Sequence, residues 1–126
     1  MFRRKRRTKP VQLAQLEELE QLLESDRPVF LDFFQYGCAP CQVMDGIVNE
    51  LADEYADSAH IVKVNVGRVA GAAQVFKVRS TPTFILLGRN QAGKVTSRWR
   101  GTGLVKKDSL MRVLEGSGAV RTGTGP

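Results

Sequence analysis

The apolar run Val29-Phe30-Leu31-Asp32-Phe33-Phe34 leads almost directly into Cys38-Ala39-Pro40-Cys41, the one place in the chain where cysteine occurs. A run this apolar reads as a strand buried on both faces, which requires a sheet covered by helices on each side. C-x-x-C at the opening of a helix, straight after such a strand, is a redox pattern with a physical mechanism. The unsatisfied N–H groups and positive dipole of the helix start favour a thiolate at the first sulfur. The thiolate is the species that attacks disulfides. Two cysteines this close enclose too small a loop to staple a fold, so a disulfide framework is excluded.

The chain has 126 residues, enough for one domain with its own core. Its formal charge of +6 is uneven. Arg3, Arg4, Lys5, Arg6, Arg7 and Lys9 contain no acid among them, and setting those six aside leaves 13 of the 19 basic residues against 13 acidic ones. The domain is formally neutral, and no basic binding face is expected on it. Residues 1–10 are expected to form a disordered basic tail, residues 11–115 the folded domain, and 116–126 a flexible glycine-rich tail. The segment after the basic run is amphipathic, without the continuous apolar stretch of a signal peptide, and no run approaches the ~20 residues of a membrane span. The expected setting is a reducing cytoplasm. The basic tail has three readings: a solvated arm, an electrostatic contact for nucleic acid or anionic membrane, or part of a targeting segment. Lacking interleaved aromatic residues, it is read first as a solvated arm.

Leu13, Leu16, Leu19, Leu22 and Leu23 recur at helical spacing and predict an amphipathic helix from Val11 to Glu24. A long helix from about Cys38 carries Val43, Met44, Ile47, Val48, Leu51 and Tyr55 as its expected buried stripe. His60–Val66 reads as a second strand, Ala70–Phe76 as a short helix and Thr83–Leu87 as a third strand. Lys94–Arg100 reads as a fourth strand, antiparallel to the third across the Arg89–Gly93 turn. Asp108–Glu115 is the last helix. The order α-β-α-β-α-β-β-α predicts an α/β fold, a central mixed sheet with helices on both faces, its first three strands joined by right-handed crossovers and an antiparallel edge supplied by the closing hairpin.

With these residues in view, the chain resembles the thioredoxin family from about Val11 to Glu115. Pro28 to Phe34 resembles the family's first core strand, with a buried Asp six residues before the first cysteine. Leu51-Ala52-Asp53-Glu54-Tyr55 resembles the end of the active-site helix, and Lys63-Val64-Asn65-Val66 the central strand with its partner lysine. Thr81-Pro82-Thr83-Phe84 resembles the cis-proline loop. Gly101 or Gly103 matches the glycine lining the substrate groove. The chain departs from the family at Gly37, where Trp is usual, at Phe34, another frequent Trp, at Ala39-Pro40 in place of Gly-Pro, and at Gly67 in place of an acid. The flat aromatic wall beside the thiol is therefore missing, and Tyr36 replaces it in part.

The resemblance implies a thioredoxin fold and a thiol–disulfide oxidoreductase that reduces protein disulfides, uses no bound cofactor or metal and is recharged by an external reductase. Cys38, nearest the helix start and the surface, would attack; Cys41, one turn in, would resolve. Ala39 and Pro40 would set how readily the disulfide closes. Asp32, a carboxylate in a buried strand, should have a raised pKa, which suits a base that deprotonates Cys41. Lys63 on the adjacent strand is its expected partner. Tyr36, Gly37, Ala39, Pro40, Thr81, Pro82 and Gly101 would line the substrate site, with Thr81 offering its backbone to an extended segment. The single histidine, His60, is read as a plain surface residue, and Trp99 and Met44 as core. A monomer suffices. Two other functions compete: a thioredoxin-fold binding module or chaperone with little turnover, and a more oxidising disulfide oxidase or isomerase.

Overall fold

A computed structural model describes residues 7–122. Five strands form one mixed sheet: β1 Val11–Gln12, β2 Val29–Phe34, β3 His60–Asn65, β4 Thr83–Arg89 and β5 Val95–Thr102. Their spatial order is β1-β3-β2-β4-β5. β1, β3 and β2 are parallel, whereas β4 runs antiparallel to β2 and β5 antiparallel to β4. Four helices cover the sheet: α1 Leu19–Leu23, α2 Ala39–Glu54, α3 Ala72–Val75 and α4 Lys107–Gly116.

Alternation along β2 sorts the core into two layers. Phe30 faces Met44, Val48 and Leu51 of α2 and Leu110 and Leu114 of α4. Leu31 and Phe33 face the other way, toward Leu19, Val62, Val64 and Ala72. The two-residue period of a strand therefore puts Asp32 on the α2 face with Phe30. Lys63 falls on that face by the same rule, between Val62 and Val64 of the opposite layer, and pairs in register with Asp32. Trp99 is half-buried against the α2–α4 layer, and Met44 lies within it.

Four expectations change. Val11–Gln12 pairs with Val62 and Lys63 as a strand, and the leucine-rich segment becomes a single 3-10 turn, Leu16–Glu18, followed by the short α1. Leu13 is buried in the extended part, where the free edge of β3 offers unpaired backbone groups that a helix would have left unsatisfied. The third expected strand, β4, is antiparallel. A crossover returning it parallel needs a helix long enough to run the sheet's length, and the four residues of α3 rise only about 6 Å. Val43, placed in the buried stripe of the long helix, is 64% exposed. At the C-terminus the expected flexible tail is docked through Thr122. Ala119 is buried, the Val120 amide donates to Ser58 Oγ at 2.8 Å, and the Thr122 amide donates to the Glu54 carbonyl at 2.8 Å. An apolar side chain and two satisfied amides hold what glycine content alone marked as loose. Within the expected basic tail, the Thr8 amide donates to Asp53 Oδ1 at 2.9 Å. The expectations for residues 1–6 and 123–126 lie outside the described residues.

Candidate active site

The chain leaves β2, turns through Gly37 at φ 77° and enters α2 with Cys38 as N-cap. A positive φ suits glycine, and it lets the chain reverse tightly enough to present Cys38 at the helix start. Ala39 and Pro40 occupy the first turn, where the missing proline N–H leaves no intrahelical bond unmade. Cys38 and Cys41 are disulfide-bonded, with Cα atoms 5.2 Å apart. The Cys41 amide donates to Cys38 Sγ at 3.2 Å. Cys38 is half-exposed and Cys41 buried, the asymmetry expected of an outer and an inner sulfur.

The loop before β4 meets this pair. The Thr81–Pro82 peptide is cis, and Cys38 Sγ lies 3.5 Å from the Thr81 carbonyl oxygen. Thr83 Oγ1 donates to the Ser80 carbonyl, closing the loop on itself. Of the two candidate glycines, Gly103 is the one tied to this loop: its amide donates to the Pro82 carbonyl at 2.9 Å. Gly101 instead pairs with Phe84 in the ladder and lies under the Trp99 indole, so that a Cβ there would fall 2.5 Å from the ring.

Behind Cys41 lies a cleft of about 220 Å³ whose lining includes Asp32, Phe34, Tyr36, Gly37, Cys41, Asp45 and Lys63. Asp32 is 3% exposed, and its Oδ1 has no hydrogen-bond partner among the described residues. Burial pushes its pKa up to about 7; the nearby Lys63 charge pulls it down and Asp45 pushes it up. The expected Asp32–Lys63 pair is not formed. Lys63 donates to Asp45 Oδ1 and sits 4.7 Å from the centroid of the Phe34 ring, a cation–π distance. Asp45 reaches Lys63 from α2, one helical turn beyond Cys41, and is 45% exposed.

Of the residues expected from sequence, the structure thus gathers Cys41, Asp32, Lys63, Tyr36 and Gly37 around one cleft. Cys38 instead meets the Thr81–Pro82 loop outside the cleft's lining, with Ala39 and Pro40 exposed on the first turn of α2. Gly101 stands apart from the loop. Tyr36 is 73% exposed, with the Arg68 guanidinium 5.4 Å from its ring centroid. Asp45 was missed, although its position four residues after Cys41 put it on the same helix face. His60 is half-buried rather than a plain surface residue: its Nε2 lies 2.9 Å from Ser25 Oγ, and burial lowers its pKa.

A mixed sheet flanked by helices, with a disulfide at a helix N-terminus facing a cis-proline loop, defines a thioredoxin fold carrying a cysteine pair capable of dithiol–disulfide exchange. The thioredoxin family model matches residues 10–115, and the chain belongs to that family. It is 31% identical over 96 residues to thioredoxin 1 of Synechococcus elongatus, covering 76% of this chain and 85% of that protein. It is 33% identical over 92 residues to thioredoxin Y1, chloroplastic, of Arabidopsis thaliana, where the match covers 73% of this chain but only about half (51%) of the relative. Among solved structures, the N21Q mutant thioredoxin from Halobacterium salinarum superposes with a TM-score of 0.73 at 25% identity, covering 94% of this chain and 95% of that one.

Proposed function

We propose that the protein reduces disulfide bonds in other proteins through a Cys38/Cys41 dithiol–disulfide cycle. The Cys38 thiolate attacks one sulfur of a substrate disulfide; a mixed disulfide forms and the first substrate thiolate leaves and takes up a proton. The buried Cys41 thiol gives its proton to Asp32, and the resulting thiolate attacks Cys38 Sγ. The Cys38–Cys41 bond forms and the second substrate thiolate leaves, protonated in its turn. Two electrons pass to the substrate; one proton comes from Cys41 by way of Asp32 and the other from solvent, which took it up when Cys38 ionised. A dithiol donor of the thioredoxin-reductase class then restores the pair.

The observation carrying this reading is the asymmetric pair at the start of α2: an accessible sulfur at the helix N-terminus and a buried one beside a carboxylate with a raised pKa. Membership of the thioredoxin family adds support. In this reading Tyr36, Gly37, Ala39, Pro40 and Thr81 meet the substrate, while Gly103 takes the groove position first assigned to Gly101. In the same reading the protein acts as a monomer in a reducing cytoplasm.

Protein-disulfide reduction with dithiothreitol as electron source tests it. Cys38→Ser abolishes turnover, and Cys41→Ser accumulates mixed disulfides resolvable by gel. Wild-type rates in both single variants would refute the reading and favour the binding-module alternative. A redox titration of the pair separates a reductant from an oxidase or isomerase.

A further inference from the structure

We propose that Asp45 is a positioning residue for the buried proton acceptor: it holds the Lys63 ammonium and so keeps Asp32 unpaired. The inference rests on the proton transfer between Asp32 and Cys41 in the reading above. Lys63 is 11% exposed and lies in register beside Asp32, so a cation is already at hand to neutralise it. Yet its Nζ bonds Asp45 Oδ1 and sits on the Phe34 ring, while Asp32 Oδ1 is left without a hydrogen bond among the described residues. All five residues, Asp32, Phe34, Cys41, Asp45 and Lys63, line the same cleft.

The charges facing Asp32 are few. β3 contributes Lys63, α2 contributes Asp45 and the Cys41 sulfur, and the register partner on β4 is the uncharged Phe84. Asp45 therefore acts on Asp32 in two ways of the same sign. It draws the lysine away, and its own negative charge opposes a second one nearby. The two charges that bear on the Asp32 proton are those of Lys63, which favours its loss, and Asp45, which favours its retention. Direct pairing of Lys63 with Asp32 would hold the carboxylate ionised and weaken it as a proton acceptor.

The test is a carboxyl-carbon NMR titration of oxidised wild-type protein, Asp45→Asn, Lys63→Met and the double variant, with Asp32→Asn to assign the resonance. Asp45 is half-exposed, so Asp45→Asn retains the fold, checked by circular dichroism. Asp45→Asn should lower the Asp32 titration midpoint by about one pH unit, and Lys63→Met should raise it. In the Lys63→Met background the Asp45→Asn shift should shrink, because the diverted cation is gone. An Asp32 midpoint unmoved by Asp45→Asn overturns the proposal. A parallel measurement, the pH profile of Cys41 alkylation in reduced Cys38→Ser protein, separates the two layers. If Asp32 moves and the Cys41 profile does not follow, Asp45 keeps its assigned role and Asp32 loses its part in the proton transfer.

Discussion

α2 has a buried carboxylate near each end, and the two are treated in opposite ways. Near its C-terminus, Glu54 is 8% exposed and charge-matched: Lys107 Nζ donates to one oxygen at 2.7 Å, and Arg121 Nε lies 3.3 Å from the other as an ion pair without a hydrogen bond. Near its N-terminus, Asp32 on the neighbouring strand is 3% exposed and unmatched, its available lysine bound elsewhere. The matched carboxylate fastens α4 and the C-terminal segment to α2. The unmatched one has its pKa raised by burial and costs stability wherever it ionises. Burial alone therefore does not tell a structural acid from a poised one; the placement of the nearest cation does.

The largest expected effect breaks the Asp32 side of this contrast. In the folded protein Asp32 holds its proton up to about pH 7, whereas in the unfolded chain it ionises near its ordinary 3.8. Well below pH 3.8 both states are protonated and the group is neutral in its effect. Stability is lost as the pH rises from 3.8 to about 7, because only the unfolded state ionises freely there, and the loss is constant above that. The gap corresponds to a penalty on the order of 4 kcal/mol. Asp32→Asn should therefore stabilise the oxidised protein by up to that amount at pH 8 and by almost nothing at pH 4, read by urea denaturation at the two pH values. The same variant should slow release of the mixed disulfide.

The Glu54 side should respond with the opposite sign. Lys107→Met removes one of its two cations and should destabilise by about 2 kcal/mol at pH 7, less than for a fully stranded buried charge because Arg121 remains. Denaturant midpoints of the variant and the wild type at pH 7 should show the loss. The smallest effect lies next door. Tyr55 is fully buried and its hydroxyl donates to Glu115, with burial raising its pKa. Tyr55→Phe removes that bond from a solvent-exposed acceptor and should cost about 1 kcal/mol.

How far these features could be read in advance depended on range along the chain. The C-x-x-C, the apolar run of β2 and most of the buried face of α2 are local patterns, and each lies where its spacing put it. Asp32 was visible as the one charge in a buried strand, and its raised pKa followed from that alone. Its lysine was visible too, but not the lysine's partner, since Asp45 becomes a neighbour of Lys63 only once α2 packs on β3. The leucine spacing of residues 13–23 is real and was misleading for the same reason. Two residues of backbone pairing with β3 outweigh it at Val11 and Gln12, and no local pattern records an open sheet edge. The choice between Gly101 and Gly103 needed the hydrogen bond to Pro82, which joins residues 21 apart.

The central claim is that the helix start makes one sulfur easy to ionise while the other waits protonated. Alkylation rates of the two thiols in reduced protein, resolved by mass spectrometry of the labelled peptides from pH 4 to 10, measure it directly. Cys38 should titrate well below the ordinary thiol value of about 8.5 and react first at neutral pH, with Cys41 following only at higher pH. A Cys38 that stays protonated at pH 7, or two cysteines that label at equal rates with one shared midpoint, would contradict the account.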